Sequence, residues 1–212
     1  MAQHRDPCGS FSTRLLIIRG NSGSGKSSAA REVRERYGRG CALIEQDHLR
    51  RIVLRELDQP GGIAPDLIEQ TARFVLNHGY HAIVEGILHT TRYADMLRRL
   101  VTDHAGTTYV YYLDVSFAET VRRHAQRPEA SAFTADQMRD WYSAHDVLGV
   151  AGEHVIAEAS TLDETVEAIL ATSELLGLAS YPRVPRRDTA RSASKRASSS
   201  RSGWSRRYRQ FL

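Results

Sequence analysis

Eight residues, Gly20-Asn21-Ser22-Gly23-Ser24-Gly25-Lys26-Ser27, carry the spacing G-x-x-x-x-G-K-S. The chemistry that suits them is the holding of a phosphate chain. Glycines free the backbone to bend into a concave nest whose N–H groups converge on anionic oxygens. A helix starting behind the nest adds the positive end of its dipole. The Lys26 ammonium would reach the outer phosphates, and the Ser27 hydroxyl would hold Mg²⁺. Lys26 and Lys195 are the only lysines among 29 basic residues, so an arginine-biased chain keeps a lysine at this point. That argues against a plain Gly/Ser connector. Gly20 through Ser28 are therefore expected to bind a nucleoside triphosphate.

Transfer of a phosphoryl group to a hydroxyl also calls for a carboxylate to take the proton and for cations around the moving charge. Asp47, with Arg50 three residues later, fits that pattern on one side of a helical turn; a helix cap with a surface arginine is the alternative. Glu85 closes another apolar run. If its strand lies beside the one before the glycine loop, Glu85 stands next to Lys26 and Ser27 and can hold a Mg²⁺-bound water. Asp114, after Tyr109-Val110-Tyr111-Tyr112-Leu113, is the rival for this role. Arg123 and Arg127 share a helix face at i, i+4, with Arg122 adjacent, and read as lid arginines. Pro128–Ala132 would be the mobile connection of that lid. His48, His89, His124 and His145 show no metal-ligand spacing, and Trp141 and Tyr142 read as core before pocket wall.

These residues need strands to present them. Leu15–Arg19 is apolar enough for a strand buried on both faces. Ala29, Val33 and Tyr37 mark the inner face of the following helix, which Gly38 ends. Cys41–Ile44, Ala82–Gly86, Thr108–Leu113 and Val155–Ala157 are the other expected strands. Between them lie helices with Leu49/Val53/Leu57, Leu67/Thr71/Phe74/Val75, Tyr93/Met96/Leu97/Leu100/Val101 and Met138/Trp141/His145 facing inward. Capping boxes are expected at Ser116/Glu119, Thr134/Gln137 and Thr161/Glu164, and Thr90 or Thr91 should cap a helix. The last helix should bury Val166, Ile169, Leu170 and Leu176. Strands alternating with helices imply an α/β fold in three layers, a five-stranded, mainly parallel sheet with helices on both faces.

The 212 residues allow one domain plus an appendage. Residues 1–13 read as a flexible leader, 14–180 as the folded domain and 181–212 as a basic Arg/Ser-rich tail expected to be disordered. Charge follows this division. Residues 183–212 hold ten basic residues and one acidic, leaving a net of −5 for the rest of a chain whose total is +4. The folded part is thus no obvious nucleic-acid binder. Two isolated cysteines imply neither a disulfide framework nor a metal site, and a cytoplasmic setting is expected. No apolar run approaches membrane-spanning length.

With the loop, Asp47-x-x-Arg50, Val84-Glu85-Gly86 and Arg123/Arg127 in place, residues 14–178 resemble the small, AAA-like P-loop kinases. Chloramphenicol phosphotransferase, zeta-toxin-type kinases and the kinase domain of polynucleotide kinase are of this group. The resemblance implies a P-loop NTPase fold and ATP/Mg²⁺-dependent phosphorylation of a hydroxyl. Asp47 would be general base, Arg50 its support, and Arg123 and Arg127 the lid. The acceptor would be a metabolite, nucleoside or antibiotic. A polynucleotide 5′-hydroxyl kinase that uses the basic tail, or a non-catalytic nucleotide-binding module, are the alternatives. A switch GTPase is excluded because neither lysine sits in an N-K-x-D element. The sequence gives no oligomeric state.

Overall fold

A computed structural model describes residues 6–126 and 134–178. Five strands form its centre: β1 (Arg14–Gly20), β2 (Cys41–Glu45), β3 (His81–Gly86), β4 (Thr107–Asp114) and β5 (His154–Ala157). They join in the order β2-β3-β1-β4-β5, and every pairing is parallel. Parallel neighbours need crossovers, supplied by α1 (Lys26–Tyr37), α2 (Ala64–Asn77), α3 (Thr90–Asp103), α4 (Phe117–Ala125) and α5 (Ala135–Asp140); α6 (Leu162–Ser173) follows β5.

The alternation of β1 divides the core. Leu15 and Ile17 pack with Ile68, Ala72 and Leu76 of α2 and Tyr93, Leu97 and Leu100 of α3. Leu16 and Ile18 turn to the other face, against Ala29, Ala30 and Val33 of α1 and Val166, Ile169 and Leu170 of α6. All four β1 side chains are fully buried, each contributing roughly 1.5–3 kcal/mol. The result is a three-layer α/β fold with its strand order reversing at β1, so the crevice for ligands opens beyond the carboxyl end of that strand.

Several local expectations are corrected. Residues 6–13 are not a flexible leader: Cys8 is buried and bridges in parallel to His104, its N–H donating to the Asp103 carbonyl at 2.8 Å. In α2 the buried face is offset by one residue, through Ile68, Ala72 and Leu76, and Phe74 is exposed. Capture of Glu69 between Arg73 and Arg99 fixes that rotation. The helix after β2 is a single π-helical turn, His48–Val53; Val53 and Leu57 are both exposed, and Arg55 at φ 53° turns the chain between them. His89, not Thr90 or Thr91, occupies the cap of α3, and Thr90 Oγ1 donates instead to Asp146. Ser116 caps α4, but the Glu119 carboxylate turns to Arg122 and Arg123, so that box is half made. The boxes at Thr134/Gln137 and Thr161/Glu164 are complete. The helix carrying Met138 stops at Asp140, short of His145. After α6, Glu174 at φ 53° shifts the phase, so Leu175 is buried and Leu176 exposed. The expected lid connection, Pro128–Ala132, lies outside the described residues, as do Arg127 and the basic tail.

Candidate active site

The phosphate loop leaves the central strand and enters α1 as expected. Gly20 and Gly23 adopt φ 153° and 86°, and a Cβ there would stand 2.9 Å from the Leu113 carbonyl and 2.7 Å from the Thr120 carbonyl. The loop is therefore seated against β4 and α4 in a shape only glycine allows. Ser24 Oγ is buried in that cradle with no hydrogen-bond partner among the described residues. Lys26 Nζ donates to the Asn21 carbonyl at 3.4 Å and lies 3.9 Å from Glu85 Oε1. Ser27 Oγ donates to the same carboxylate oxygen at 2.7 Å.

Strand register explains that meeting. β3 lies beside β1 with Glu85 opposite Ile18, so the carboxylate reaches the start of α1. Glu85 is 4 % exposed. Burial pushes its carboxyl above the usual value of 4.5, and Lys26 and the Ser27 hydroxyl pull it only partly back. One hydroxyl and one buried carboxylate, with room beside them, suit Mg²⁺, a cation that keeps several waters. The chemistry of this pair, and a glycine cradle holding the unpartnered Ser24 hydroxyl, fit the expected nucleotide and metal. Asp114 is elsewhere: its carboxylate is 2.8 Å from His145 Nδ1, on the far side of β1.

Two cavities meet at the loop. One, of about 530 Å³, is lined by Ser22, Lys26, Ser27, Ser28, Asp47 and Glu85, with the buried His124 on its wall. The second, of about 560 Å³, is lined by Asp47, Arg50, Arg51, His89, Arg92 and Trp141. Asp47 and Ser22 border both. Asp47 is 63 % exposed in its side chain and stands 3.0 Å from Arg50 Nη2 and 3.7 Å from Arg51 Nη1. Arg50 is further tethered by donating to the Glu56 carbonyl at 3.2 Å. Trp141 is 37 % exposed and forms pocket wall rather than core. Tyr142 packs edge-on against Phe117 and donates to the Val115 carbonyl.

A smaller cavity of about 260 Å³ lies on the other side of the loop, between Gly25, Arg123, Val115, Ile156, Ser160 and Leu162. Arg123 borders this cavity, not the phosphate cavity. Its Nη1 donates to the Ser24 carbonyl at 3.0 Å, its Nη2 to the Glu158 carbonyl at 2.7 Å and its Nε to Glu119 at 2.7 Å. In this arrangement it braces the loop from α4. Arg122 is exposed and, among the described residues, pairs with Glu119.

Sequence reasoning passed over Arg19, Asn21's side chain and the segment that receives them. Arg19, 0 % exposed, donates to the Leu88 carbonyl at 2.9 Å and pairs with Asp146 at 3.0 Å and Glu153 at 3.6 Å. Burial lowers its pKa, against Asp146 and Glu153, which raise it. Asn21 was expected at the nucleotide; its backbone lies in the loop, but its side chain bonds Ser143. An arginine inside an otherwise apolar β1 was the available signal.

The parallel sheet reversing at β1, the glycine loop and the Lys26–Ser27–Glu85 cluster define a P-loop NTPase. A family model described as AAA domain (AAA_33) matches residues 15–148, more than half of the chain, and the protein belongs to that family. No curated protein matches the chain. Among solved structures it is similar to the APS kinase CysC of Mycobacterium tuberculosis, in complex with AMPPNP and APS (18 % identity, 81 % of this chain and 99 % of that one, TM-score 0.59). It is also similar to a sugar kinase from Janibacter sp. HTCC2649 (17 %, 80 % and 99 %, TM-score 0.58). A gluconokinase from Sinorhizobium meliloti 1021 is a third (19 %, 82 % and 98 %, TM-score 0.57). At such identities the likeness is one of fold.

Proposed function

We propose that the protein is an ATP-dependent kinase that transfers the terminal phosphate to a hydroxyl of a small molecule: a metabolite, nucleoside or antibiotic. The observation that carries this reading is the position of Asp47, which borders both the phosphate cavity and the second cavity. A carboxylate at that junction can take the proton of an acceptor hydroxyl held in the second cavity while its oxygen attacks phosphorus. In that step the new bond is acceptor oxygen to phosphorus, the broken one joins phosphorus to the leaving diphosphate, and the proton passes to an Asp47 oxygen. The similar solved structures are kinases, which accords with the reading.

The chain's own groups supply the rest. Loop N–H groups and Lys26 would bind the phosphates, and Arg50 would hold Asp47 oriented. Ser27 and Glu85 would hold Mg²⁺, which when bound screens phosphate charge. Arg123 would fix the loop against α4; Arg127 keeps its proposed role as lid arginine. The 260 Å³ cavity with its apolar Val115, Ile156 and Leu162 walls suits the base of the nucleotide. Among the described residues no helix is long and apolar enough to cross a membrane. Cys8 and Cys41 are free and buried, which suits the reducing cytoplasm.

The test is a screen for transfer of labelled γ-phosphate to nucleosides, sugars, aminoglycosides and oligonucleotides, with the whole chain and with residues 183–212 removed. Turnover of a small hydroxyl compound, unchanged by the truncation, is the expected result. Turnover of oligonucleotides alone, lost with the tail, would replace this reading with a 5′-end kinase. Nucleotide binding without transfer to any acceptor would leave a binding module.

A further inference from the structure

We infer that Asn21 is a positioning residue: its side chain fastens the Trp141 wall of the second cavity to the phosphate loop. Asn21 is 3 % exposed and occupies a position that the loop's spacing leaves open to any residue. Its Nδ2 donates to the Ser143 carbonyl at 2.8 Å, and its Oδ1 accepts from the Ser143 N–H at 3.0 Å. An amide side chain is the group that can answer a peptide's donor and acceptor together. Trp141 lies two residues before that clasp.

The receiving segment is irregular and is held by side chains from several elements. Residues 141–146 belong to no helix or strand, and His145 sits at φ 50°. The segment's first two N–H groups continue the turn of α5, Trp141 to the Met138 carbonyl and Tyr142 to the Arg139 carbonyl, and side chains from elsewhere satisfy much of the rest. His89 Nε2 lies 2.8 Å from the Trp141 carbonyl, and the Tyr112 hydroxyl accepts from the Asp146 N–H at 3.0 Å. The Asp146 carboxylate then pairs with the buried Arg19 and accepts from the Thr90 N–H. Arg19 and Tyr112 are register partners on β1 and β4. These anchors tie the two ends of the segment to the start of α3 and to β4. At its middle Asn21 joins Ser143 to the loop that would carry the phosphates, with the Tyr112 hydroxyl donating to the same carbonyl at 3.4 Å from behind. Ser22, the next residue of that loop, borders the second cavity together with Trp141. The loop and the wall are thus set at one distance through the Asn21 side chain, which Tyr112 backs. A group in the second cavity is held at a fixed reach from the transferring phosphate.

The test uses the full chain with Trp204→Phe, which leaves Trp141 as the sole tryptophan. Acrylamide quenching of Trp141 should rise at least twofold in Asn21→Ala while the far-UV circular dichroism stays as in the parent. Asn21→Asp keeps the shape and the acceptor but sets an oxygen against the Ser143 carbonyl, and should loosen Trp141 as well. Unchanged quenching in both variants would overturn the inference. If neither variant folds, amide exchange in the unmutated chain decides: Ser143 N–H should be protected at least tenfold over a free loop amide, and exchange at the free rate would overturn the clasp.

A second arm rests on the kinase reading. With an acceptor in hand, Asn21→Ala should raise acceptor KM about tenfold and lower kcat less than threefold. A loosened Trp141 with unchanged acceptor KM would refute the positioning role. Absence of any phosphorylated acceptor would defeat the kinase reading instead, and the quenching result would still decide the clasp.

Discussion

Replacing Glu85 by Gln separates the two roles a buried carboxylate beside Lys26 can have. At 3.9 Å the Lys26–Glu85 attraction is worth about 4 kcal/mol at an effective dielectric of about 20. Burial opposes it, and the net result is a carboxyl raised above 4.5, so the ionised form is disfavoured in the folded protein even with its partners present. The folded state therefore binds the proton more tightly than the unfolded chain. This group's contribution to stability is lost as pH rises from about 4.5 through its raised folded value. Glu85→Gln should escape that loss and be as stable as wild type at neutral pH, to within about 1 kcal/mol. Mg²⁺-dependent nucleotide binding should fall roughly ten- to hundredfold, or about 1.4–2.7 kcal/mol, because the anchor of the metal's water is gone. Urea unfolding across pH 4–8 and calorimetric titration of ADP with and without Mg²⁺ give both numbers. A loss of 3 kcal/mol in the metal-free protein, with Mg²⁺ binding intact, would refute the reasoning and make Glu85 a structural ion-pair partner.

Other consequences are equally concrete. Gly23→Ala forces φ 86° on a side chain and sets its Cβ 2.7 Å from the Thr120 carbonyl; it should cost about 1–3 kcal/mol in urea unfolding and weaken nucleotide binding. Arg123→Met removes the donors to the Ser24 and Glu158 carbonyls; nucleotide affinity should drop about tenfold, the scale of one charged hydrogen bond, and an unchanged calorimetric Kd would count against bracing. Burial holds the His104 imidazole at about 4, with Thr13 and Thr108 hydroxyls on its two nitrogens. The unfolded chain takes up this proton first as pH falls below 6.5, so stability should decline between pH 6.5 and 4 by up to about 3 kcal/mol. His104→Asn should flatten that decline in thermal unfolding.

What the sequence disclosed was what short-range rules encode. The glycine spacing, the apolar alternation of β1 and the two complete capping boxes each follow from residues within a few positions, and the parallel sheet follows from their order. Glu85 stands beside Lys26 and Ser27, where the sequence put it, because a single adjacency, β3 beside β1, decides that position. The failures are long-range. The rotation of α2 depends on Glu69 finding Arg99 thirty residues away. Cys8 is buried by a bridge to His104. Asn21's partner is 122 residues distant and is backbone, invisible to any spacing rule. Arg123 was expected over the phosphates by its helical phase, whereas two carbonyls from the loop and β5's exit hold it beside the smaller cavity.

The central claim is that Asp47 serves an acceptor hydroxyl across the junction of the two cavities. Because Asp47 is mostly exposed and its ion pairs with Arg50 and Arg51 lie at the surface, its stability contribution is small, about 0–1 kcal/mol. The decisive measurement is kcat for γ-phosphate transfer by Asp47→Asn on the acceptor that the screen identifies. The account predicts a fall of about 10²–10⁴-fold with the fold and ATP binding retained. Turnover close to wild type would contradict it.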